Sequence, residues 1–273
     1  MIVAGHNVLA GFHPFSDVGD LLKAVSHCGL LSGCYRLAAK AAVDRIQYGK
    51  MSGPNMNLNA RKLEDVAVRT LAYYDQHAED YRDGTRDHDV SQNIAALLRY
   101  IESEPPFTIL DFGCGPGRDL KRFAELGHVA VGLDGAARFA AMARASSGCE
   151  VWQQNFLRLE LPEGHFDGVF ANAALFHVPT EVLPQTLRKL HGTLKPGGVL
   201  FSSNPRGRNE EGWNGERYGA YHDLETWHRH MSAAGFVELT HYYRPAGLAF
   251  EQQPWLASVW RAARVAPAPE TTR

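Results

Sequence analysis

From about Leu58 onward, apolar and polar residues follow one another in regular blocks. Short apolar runs of strand length are separated by stretches with helical spacing. Val90–Glu102 repeats its apolar residues at intervals of three and four, which predicts an amphipathic helix, and the apolar run FTILD at 107–111 predicts a buried strand. Strands alternating with helices predict an α/β fold, with a mostly parallel sheet and helices on both faces. Such a sheet opens its ligand crevice at the carboxyl ends of its strands.

The same patterns place the remaining elements. The predicted strands are 107–111, 128–134, 150–153, 166–172, 199–203, 236–243 and 255–261. The predicted helices are 61–80, 90–102, 118–126, 136–145, 181–194 and 224–234. The polar stretch Asn204–Tyr221 is predicted to be a long loop.

The N-terminal 55 residues differ from the rest. Their first apolar stretch is interrupted by glycine, histidine and proline, and it lacks the basic start of a secretory signal. Loose helical spacing over 21–46 predicts one or two short helices, and a turn-rich break follows at 51–57. We therefore predict an extension at 1–55, a domain at 56–265 and a disordered tail at 266–273. The extension is interpreted as a substrate-covering cap, a partner surface or extra translated sequence.

Charge and cysteine content narrow the classes of protein. The 273 residues carry 28 Lys+Arg against 30 Asp+Glu, a formal net charge of −2, which argues against a nucleic-acid or polybasic membrane surface. No stretch reaches the roughly 18 to 20 apolar residues of a membrane span. The spacing of Cys28, Cys34, Cys114 and Cys149 fits neither a zinc site nor a disulfide framework, which predicts a reducing cytoplasm. We expect no metal, and His222, His228 and His230 are interpreted as solvated.

The candidate chemistry lies on the turns that follow the predicted strands. After the first comes Asp111-Phe-Gly-Cys-Gly-Pro-Gly117, whose alternate glycines let the backbone approach a ligand closely. The second ends at Asp134, 23 positions after Asp111, where a carboxylate can accept both ribose hydroxyls or cap the next helix. The third is followed by Asn155 and Phe156, which suit an exocyclic amine and the face of a base.

Two nucleotide-type ligands fit such a site. A dinucleotide site uses GxGxxG with the pyrophosphate on a helix N-terminus. This chain has GxGxG preceded by Asp111, and an acid there would repel a pyrophosphate. The acid suits S-adenosylmethionine, which carries an ammonium, a sulfonium, a ribose and an adenine but no phosphate.

Residues from about Tyr73 to Arg261 resemble the class I S-adenosylmethionine-dependent methyltransferases. The resemblance is carried by Ile109–Gly117 (ILDFGCGPG), Phe166–Val178 (FDGVFANAALFHV) and Leu194–Gly198 (LKPGG), and by Tyr73–Tyr81, which is similar to a helical segment that closes over the cofactor. It implies a Rossmann-like sheet of seven strands with the last antiparallel. It also implies that S-adenosyl-L-methionine is bound by Tyr74, Tyr81, Asp111, Gly113, Cys114, Gly115, Gly117, Asp134, Gly135, Asn155, Phe156 and Asn172.

Methyl transfer is an in-line displacement, so alignment alone can suffice and a base is needed only if the acceptor must lose a proton. His177 is the candidate base, with a packed or capping histidine as the alternative. The segment after strand five offers candidates for an anionic or aromatic acceptor: Arg206, Arg208, Trp213, Arg217, Tyr218 and Tyr221. The alternative is a solvated loop whose arginines pair with nearby glutamates.

The prediction is a cytoplasmic S-adenosylmethionine-dependent methyltransferase with a small-molecule acceptor. Asn172-Ala-Ala-Leu replaces the (Asn/Asp/Ser)-Pro-Pro-(Tyr/Phe) motif of nucleic-acid amino-methyltransferases, so a nucleic-acid acceptor is not expected. Two alternatives stay open. One is a protein or RNA methyltransferase that uses the extension for docking, and the other is a non-catalytic S-adenosylmethionine-binding protein.

Overall fold

The structure, a computed structural model, describes residues 58–263. The predicted extension at 1–55 and the predicted tail at 266–273 lie outside these residues, as do Cys28 and Cys34. None of the helices in the described range is long and apolar enough to cross a membrane.

The strands within 58–263 are β1 Thr108–Phe112, β2 Val129–Asp134, β3 Glu150–Gln153, β4 Phe166–Asn172, β5 Leu194–Pro205, β6 Glu210–Asn214, β7 Arg217–Tyr221, β8 Phe236–Arg244 and β9 Trp255–Ala262. The α-helices are α1 Leu58–Gln76, α2 Ala78–Thr85, α3 Ser91–Leu98, α4 Arg118–Glu125, α5 Ala137–Ser147, α6 Leu183–Thr193 and α7 Leu224–Ala233. Short 3₁₀ turns occur at Leu175–His177 and Phe250–Gln252.

Seven strands form one sheet in the order β3-β2-β1-β4-β5-β9-β8. Strands β1 to β5 are parallel, and β9 runs antiparallel between β5 and β8. The Rossmann-like sheet with an antiparallel last strand is therefore confirmed. The order reverses between β1 and β4, so the turn after β1 lies at the switch point where such sheets bind ligands.

Successive residues of the central strands face opposite sides, and each side packs against its own layer of helices. On β1, Leu110 belongs to the layer that includes α6 and α7, whereas Ile109 packs with residues of α3, α4 and α5. Both side chains are fully buried. Burying an aliphatic side chain of this size contributes about 1.5–3 kcal/mol, so this doubly covered sheet is the rigid support of the turns at its edge.

Two predictions about elements are wrong. The single helix predicted over 61–80 is two helices, because the backbone of His77 leaves the helical region between α1 and α2. The long loop predicted over 204–221 is the hairpin β6–β7, which forms a two-stranded sheet of its own. Its strands pair Asn214 with Arg217 around Gly215, whose φ is +62°. A two-residue turn that begins with such a glycine favours a tight hairpin, and the dipeptide Gly215-Glu216 is its sequence signal.

Of the three clustered histidines, His222 differs most from its prediction. His228 is exposed as expected, but His222 is buried, with a ring-centroid distance of 5.0 Å to His230. Burial lowers the pKa of His222, so its ring is held neutral. Among the described residues, no group of three or more potential ligands could hold a metal ion.

Candidate functional site

Two adjoining cavities open at the carboxyl edge of the sheet. The inner cavity lies between α1 and the turns after β1, β2 and β3, and its polar members are Thr70, Tyr74, Asp134, Asn155 and His177. The outer cavity extends past the end of β4 toward the segments 85–90 and 244–255, and its formally charged members are Asp87, Asp89, Arg118, Asp119, Arg217 and Arg244. Both are lined by Tyr74, Tyr81, Gly113, Gly115 and Ala173.

The glycine turn after β1 is tied to β2 by its backbone. The amides of Gly113 and Cys114 donate to the Leu133 carbonyl at 2.7 and 3.1 Å. Gly113 has a φ of +77°, and a Cβ on it would lie 2.5 Å from the Cβ of Ala174. Only glycine allows this turn and the approach of the segment after β4 at the same time. Gly113 and Gly115 consequently form bare backbone where both cavities meet.

Gly117 has a different role from the other two glycines. It precedes α4 with a φ of +92°, and a Cβ there would lie 2.6 Å from the Cα of Ala143 on α5. It lines neither cavity. Gly117 is thus required for packing α4 against α5, not for contact with a ligand. Gly135 likewise makes room for Leu71 of α1, whose Cδ2 would lie 2.6 Å from a Cβ.

Asp111, at the end of β1, is a buried carboxylate with an unused acceptor. Its side chain is 2% exposed, and Oδ2 has no hydrogen-bond partner among the described residues. Burial, together with nearby Asp119, raises the pKa of Asp111 well above its usual range. A buried carboxylate oxygen without a partner is unfavourable, and a cationic donor would satisfy it.

Asp134, at the end of β2, lines the inner cavity with a carboxylate that already accepts two backbone hydrogen bonds. Gly115 N donates to Oδ2 at 3.0 Å, and Ala136 N donates to Oδ1 at 2.8 Å. The bond from Ala136 resembles the capping interaction considered as an alternative, and a carboxylate oxygen that accepts one hydrogen bond can accept another from a ligand. Burial raises the pKa of Asp134 to about 6.

The residues after β3 reach the same cavity from the other side. Asn155 uses one lone pair of its side-chain oxygen to accept from Leu157 N at 2.9 Å, so it can offer a ligand its amide nitrogen as a donor and the second lone pair as an acceptor. Phe156 stacks on Phe112, with ring centroids 4.3 Å apart. Phe156 and Leu157 give this end of the cavity a flat apolar wall.

Helix α1 forms the roof of the inner cavity and is held down by side chains at several points. Tyr74 and Tyr81 project toward Phe139 of α5, at centroid distances of 5.5 and 5.2 Å. Arg138 of α5 pairs with Glu79, and its backbone amide donates to Asp75 at 2.8 Å. The predicted closing segment therefore covers the site, with its two tyrosines at the junction of the cavities.

His177 has both ring nitrogens engaged. Nδ1 lies 2.6 Å from the Tyr218 carbonyl, which can only accept, so Nδ1 carries the hydrogen. Nε2 then accepts from the Tyr74 hydroxyl at 2.8 Å. Burial lowers the pKa of His177 to about 4, so the ring is neutral above pH 5. This arrangement fits a positioning residue better than a free base.

Asn172, at the end of β4, is fixed by a buried polar network. Its amide donates to Asp119 at 3.2 Å and accepts from Asn93 at 3.0 Å. Asn93 in turn accepts from the Tyr242 hydroxyl at 2.9 Å, and Asp119 pairs with Arg118 at 2.6 Å. The network makes this wall of the outer cavity rigid, and with Cys114 it forms part of the lining.

Of the six acceptor candidates, Arg217 alone lines either of the two cavities. Arg206 lies over the ring of Phe250 at 3.6 Å and donates to the Phe250 carbonyl. Trp213 is covered by Arg69 at 3.9 Å, and Tyr218 packs edge-on against Trp213. The remaining two, Arg208 and Tyr221, lie outside both linings, the first exposed and the second against Phe176. The arginines of this segment form no ion pair with Glu210, Glu211 or Glu216 within the described range.

Several residues of the site were not predicted. Thr70, Phe139 and Leu157 line the inner cavity, and Arg118 and Asp119 line the outer one. Arg118 and Asp119 open the helix directly behind the glycine turn, a position that does signal proximity to the ligand. The others are ordinary amphipathic positions whose role depends on how α1 and α5 pack.

Comparison with known proteins agrees with this geometry. Residues 109–198 match the family model described as "Methyltransferase domain". A trans-aconitate 2-methyltransferase of Azoarcus sp. (strain BH72) is 35% identical over 118 residues, which are 42% of this chain and 45% of that protein. An 18S rRNA (guanine-N(7))-methyltransferase of Schizosaccharomyces pombe is 27% identical over 50% of this chain and 55% of its own length. The chain thus spans about half the length of these curated relatives.

Among solved structures, the 1,6-didemethyltoxoflavin-N1-methyltransferase of Burkholderia thailandensis has the same fold. Its TM-score is 0.62 at 21% identity, covering 74% of this chain and 90% of that one. That crystal structure contains 1,6-didemethyltoxoflavin and S-adenosylhomocysteine. The sheet order, the motifs at the strand ends and the family match lead to one conclusion. Residues 109–198 are a methyltransferase domain, and residues 58–263 have the Rossmann-like fold of the S-adenosylmethionine-dependent methyltransferases.

Proposed function

We propose that this chain transfers a methyl group from S-adenosylmethionine to a small-molecule acceptor by in-line displacement. The observation that carries the proposal is the convergence of Asp134 and the Asn155–Phe156 pair, from two strand ends, beside the bare backbone of the glycine turn; Asp111 is buried at the base of that turn and lines neither cavity. When bound, S-adenosylmethionine supplies a methyl carbon activated by the adjacent sulfonium.

The donor set fits the chemical groups of this cofactor. The partnerless Oδ2 of Asp111 suits an ammonium, and the free lone pairs of Asp134 suit two neighbouring hydroxyls. The Asn155 amide nitrogen and the faces of Phe156 and Leu157 suit a purine. Two carboxylates beside the glycine turn disfavour a pyrophosphate, which supports S-adenosylmethionine over a dinucleotide.

The residues of the chain contribute alignment and exclusion of water. Tyr74 and Tyr81 cover the junction of the cavities, and the Asn93–Asn172–Asp119 network fixes the wall beyond it. Because His177 is neutral and engaged at both nitrogens, it holds Tyr74 in place and takes no proton from the acceptor. Catalysis then rests on proximity and orientation, with an acceptor atom that arrives already deprotonated.

A small acceptor is favoured by the shape of the outer cavity. It is enclosed by α2, by the end of β4 and by the segment 244–255, and such concave sites take small ligands. The names of the Azoarcus and Burkholderia proteins give small molecules as acceptors, whereas that of the S. pombe protein gives an RNA. An RNA or protein acceptor is therefore an outcome that the experiment must be able to detect. The cytoplasmic location stays a prediction from cysteine spacing.

Calorimetry tests the cofactor assignment. The full chain is expected to bind S-adenosylmethionine and not NAD. Asp134→Ala is expected to weaken binding by about 2–4 kcal/mol, the loss of charge-assisted hydrogen bonds to both ribose hydroxyls. Asp80→Asn, an exposed acid of α2 outside both cavities, is the matched control.

The pH dependence of this affinity checks the same residue. With a pKa of about 6, Asp134 is ionised at pH 8 and protonated at pH 5, where one oxygen becomes a donor. The affinity of the parent is expected to fall as the pH drops through 6, while that of Asp134→Asn changes less. NAD binding, or equal affinity in Asp134→Ala and the parent, would contradict the assignment.

A transfer assay separates the three classes of function. Labelled cofactor is incubated with the full chain and a cell extract, and the products are resolved by size. Label in low-molecular-weight products is expected. Label in RNA or protein would favour the second interpretation, and cofactor binding without transfer to any fraction would favour a non-catalytic binding protein.

A further inference from the structure

Arg217 is the cation of the β6–β7 hairpin that reaches the outer cavity. It begins β7, directly after the hairpin turn. Its guanidinium carbon lies 5.1 Å from the ring centroid of Tyr73, and the group lies close to the Tyr74 hydroxyl. Two tyrosines of α1 therefore fix where the guanidinium lies.

A chain of hydrogen bonds sets the direction of each of these contacts. The His177 Nδ1–H donates to the Tyr218 carbonyl, and Nε2 accepts from the Tyr74 hydroxyl. The Tyr74 oxygen has thereby used its only hydrogen, so toward Arg217 it can only act as an acceptor. A guanidinium has five N–H donors. With one side near Tyr74 and one face covered by Tyr73, the remaining donors are available to the outer cavity.

The charges that line the outer cavity leave Arg217 without a counter-ion. Asp119 pairs with Arg118 at 2.6 Å, and Asp87 pairs with Arg86 at 3.7 Å.

The remaining two charged residues of this lining are Asp89 and Arg244, which meet through a backbone carbonyl and do not form an ion pair. Asp89 accepts from Ser91 N at 2.9 Å, and Arg244 donates to the Asp89 carbonyl at 2.9 Å. Within residues 58–263, neither Arg244 nor Arg217 has a carboxylate within ion-pair distance; Arg244 donates to a backbone carbonyl, whereas Arg217 lies over the ring of Tyr73. A partly buried cation without a partner is unfavourable unless an anion joins it.

We propose that Arg217 binds a carboxylate of the acceptor, which is therefore a carboxylate-bearing small molecule. The proposal rests on the function proposed above and names its substrate class. The planar guanidinium matches a carboxylate in a two-point hydrogen-bonded geometry, which a lysine would not provide. Phe176 and Trp255 line the same cavity and provide apolar surface for the rest of the acceptor.

Binding to the full chain saturated with S-adenosylhomocysteine tests the proposal without turnover. The probes are trans-aconitate and benzoate, with benzamide as the neutral counterpart of benzoate. The parent is expected to bind both carboxylates, and to bind benzamide at least tenfold more weakly than benzoate. Arg217→Met is expected to weaken carboxylate binding at least tenfold, and Arg217→Lys is expected to fall between the two.

The controls separate recognition from folding. Affinity for S-adenosylhomocysteine is expected to stay within threefold in both Arg217 variants. Arg188→Met, an exposed arginine of α6 outside both cavities, is expected to bind all probes as the parent does. With a natural acceptor purified from extract, Arg217→Met is expected to raise KM far more than it lowers kcat, and the acceptor is expected to be retained on an anion exchanger.

Two results would overturn the proposal in distinguishable ways. In the first, S-adenosylhomocysteine binds, but the carboxylates bind Arg217→Met as tightly as the parent, or they bind neither protein. The role of Arg217 is then wrong and the proposed function stands. If S-adenosylhomocysteine does not bind the parent, the proposed function fails and the inference fails with it.

Discussion

At the scale of single residues, burial changes what His177 can do. A histidine just beyond β4 is well placed to face the acceptor, and the sequence alone makes it a candidate base. The structure gives its Nδ1–H to the Tyr218 carbonyl and its Nε2 to the Tyr74 hydroxyl. A side chain with both nitrogens engaged and a pKa of about 4 stabilises its neighbours and does not accept a proton near neutral pH.

We therefore predict that His177 acts through stability. His177→Ala is expected to lower the free energy of unfolding by about 1–3 kcal/mol, because a hydroxyl and a carbonyl lose their partners. Its transfer rate is expected to keep the pH profile of the parent between pH 6 and 8. A rate limb near pH 6.5 that is present in the parent and missing in His177→Asn would contradict this role.

The same residue gives stability a pH dependence with a definite sign. The pKa of His177 falls from 6.5 to about 4 on folding, so the unfolded state binds the proton more tightly. Stability from this group is complete above pH 6.5 and is lost as the pH falls through 4, by about 3 kcal/mol in total and about 2 kcal/mol by pH 5. Denaturant titrations of the parent and His177→Asn at pH 7.5 and 5 measure the difference.

Residue patterns predicted the positions of Asp111 and Asp134 in the fold better than those of the acceptor candidates. Asp111 and Asp134 lie at the ends of buried strands, and the carboxyl ends of parallel strands all lie at the same edge of a sheet. Arg206 and Trp213 could not be assigned in this way. The directions in which these two side chains point depend on the β6–β7 hairpin and on contacts with Phe250 and Arg69, which lie far away in sequence.

At the scale of elements, the packing of α4 against α5 depends on one glycine. Gly117 and Gly148 both have left-handed backbones, with φ of +92° and +70°. A Cβ on Gly117 would lie 2.6 Å from the Cα of Ala143 on α5, whereas a Cβ on Gly148 would meet nothing within 4 Å. Alanine substitutions at these two glycines therefore separate two effects on the free energy of unfolding: that of a left-handed backbone, which both share, and that of the steric contact with α5, which only Gly117 has.

Gly148→Ala is expected to lower the free energy of unfolding by about 1 kcal/mol, the cost of a left-handed alanine. Gly117→Ala is expected to lower it by at least about 2 kcal/mol more, since the helices must separate. Urea unfolding measures both. Equal losses would mean that α4 and α5 adjust freely and that the glycine serves the turn alone.

Element boundaries were predictable where one periodicity dominates. β4 begins and ends where expected, because it is a central strand that is buried along almost its whole length. β3 also has its expected bounds, although it is an edge strand in which only Val151 is buried. The break between α1 and α2 at His77 has no proline or glycine to announce it. The hairpin carries the turn dipeptide Gly215-Glu216, but β6 is mostly exposed and the two buried residues of β7, Gly219 and Ala220, are adjacent, so no alternation of apolar residues marked the strands.

At the scale of the whole molecule, residues from 59 onward form a compact unit of their own. The strands, the glycine turn, Asp134 and the α1 roof all belong to it. We therefore propose the boundary near residue 56, and we predict that a chain starting at Met56 folds and binds S-adenosylmethionine within threefold of the full chain. Thermal unfolding and calorimetry of both chains measure this. Insolubility of the shorter chain, or a melting temperature lower by more than about 10 °C, would make residues 1–55 part of the core.

The hairpin is also joined to the roof of the inner cavity. The Tyr218 amide donates to Thr70 Oγ1 at 3.1 Å, and Arg217 contacts Tyr73 and Tyr74. An acceptor held by Arg217 would add a further tie between hairpin and α1, which would make the roof harder to lift. The steady-state kinetics should then be ordered, with S-adenosylmethionine binding first and S-adenosylhomocysteine dissociating last. A carboxylate acceptor present in excess should bind before S-adenosylhomocysteine has dissociated and so slow its release. The enzyme should therefore show inhibition by its own acceptor.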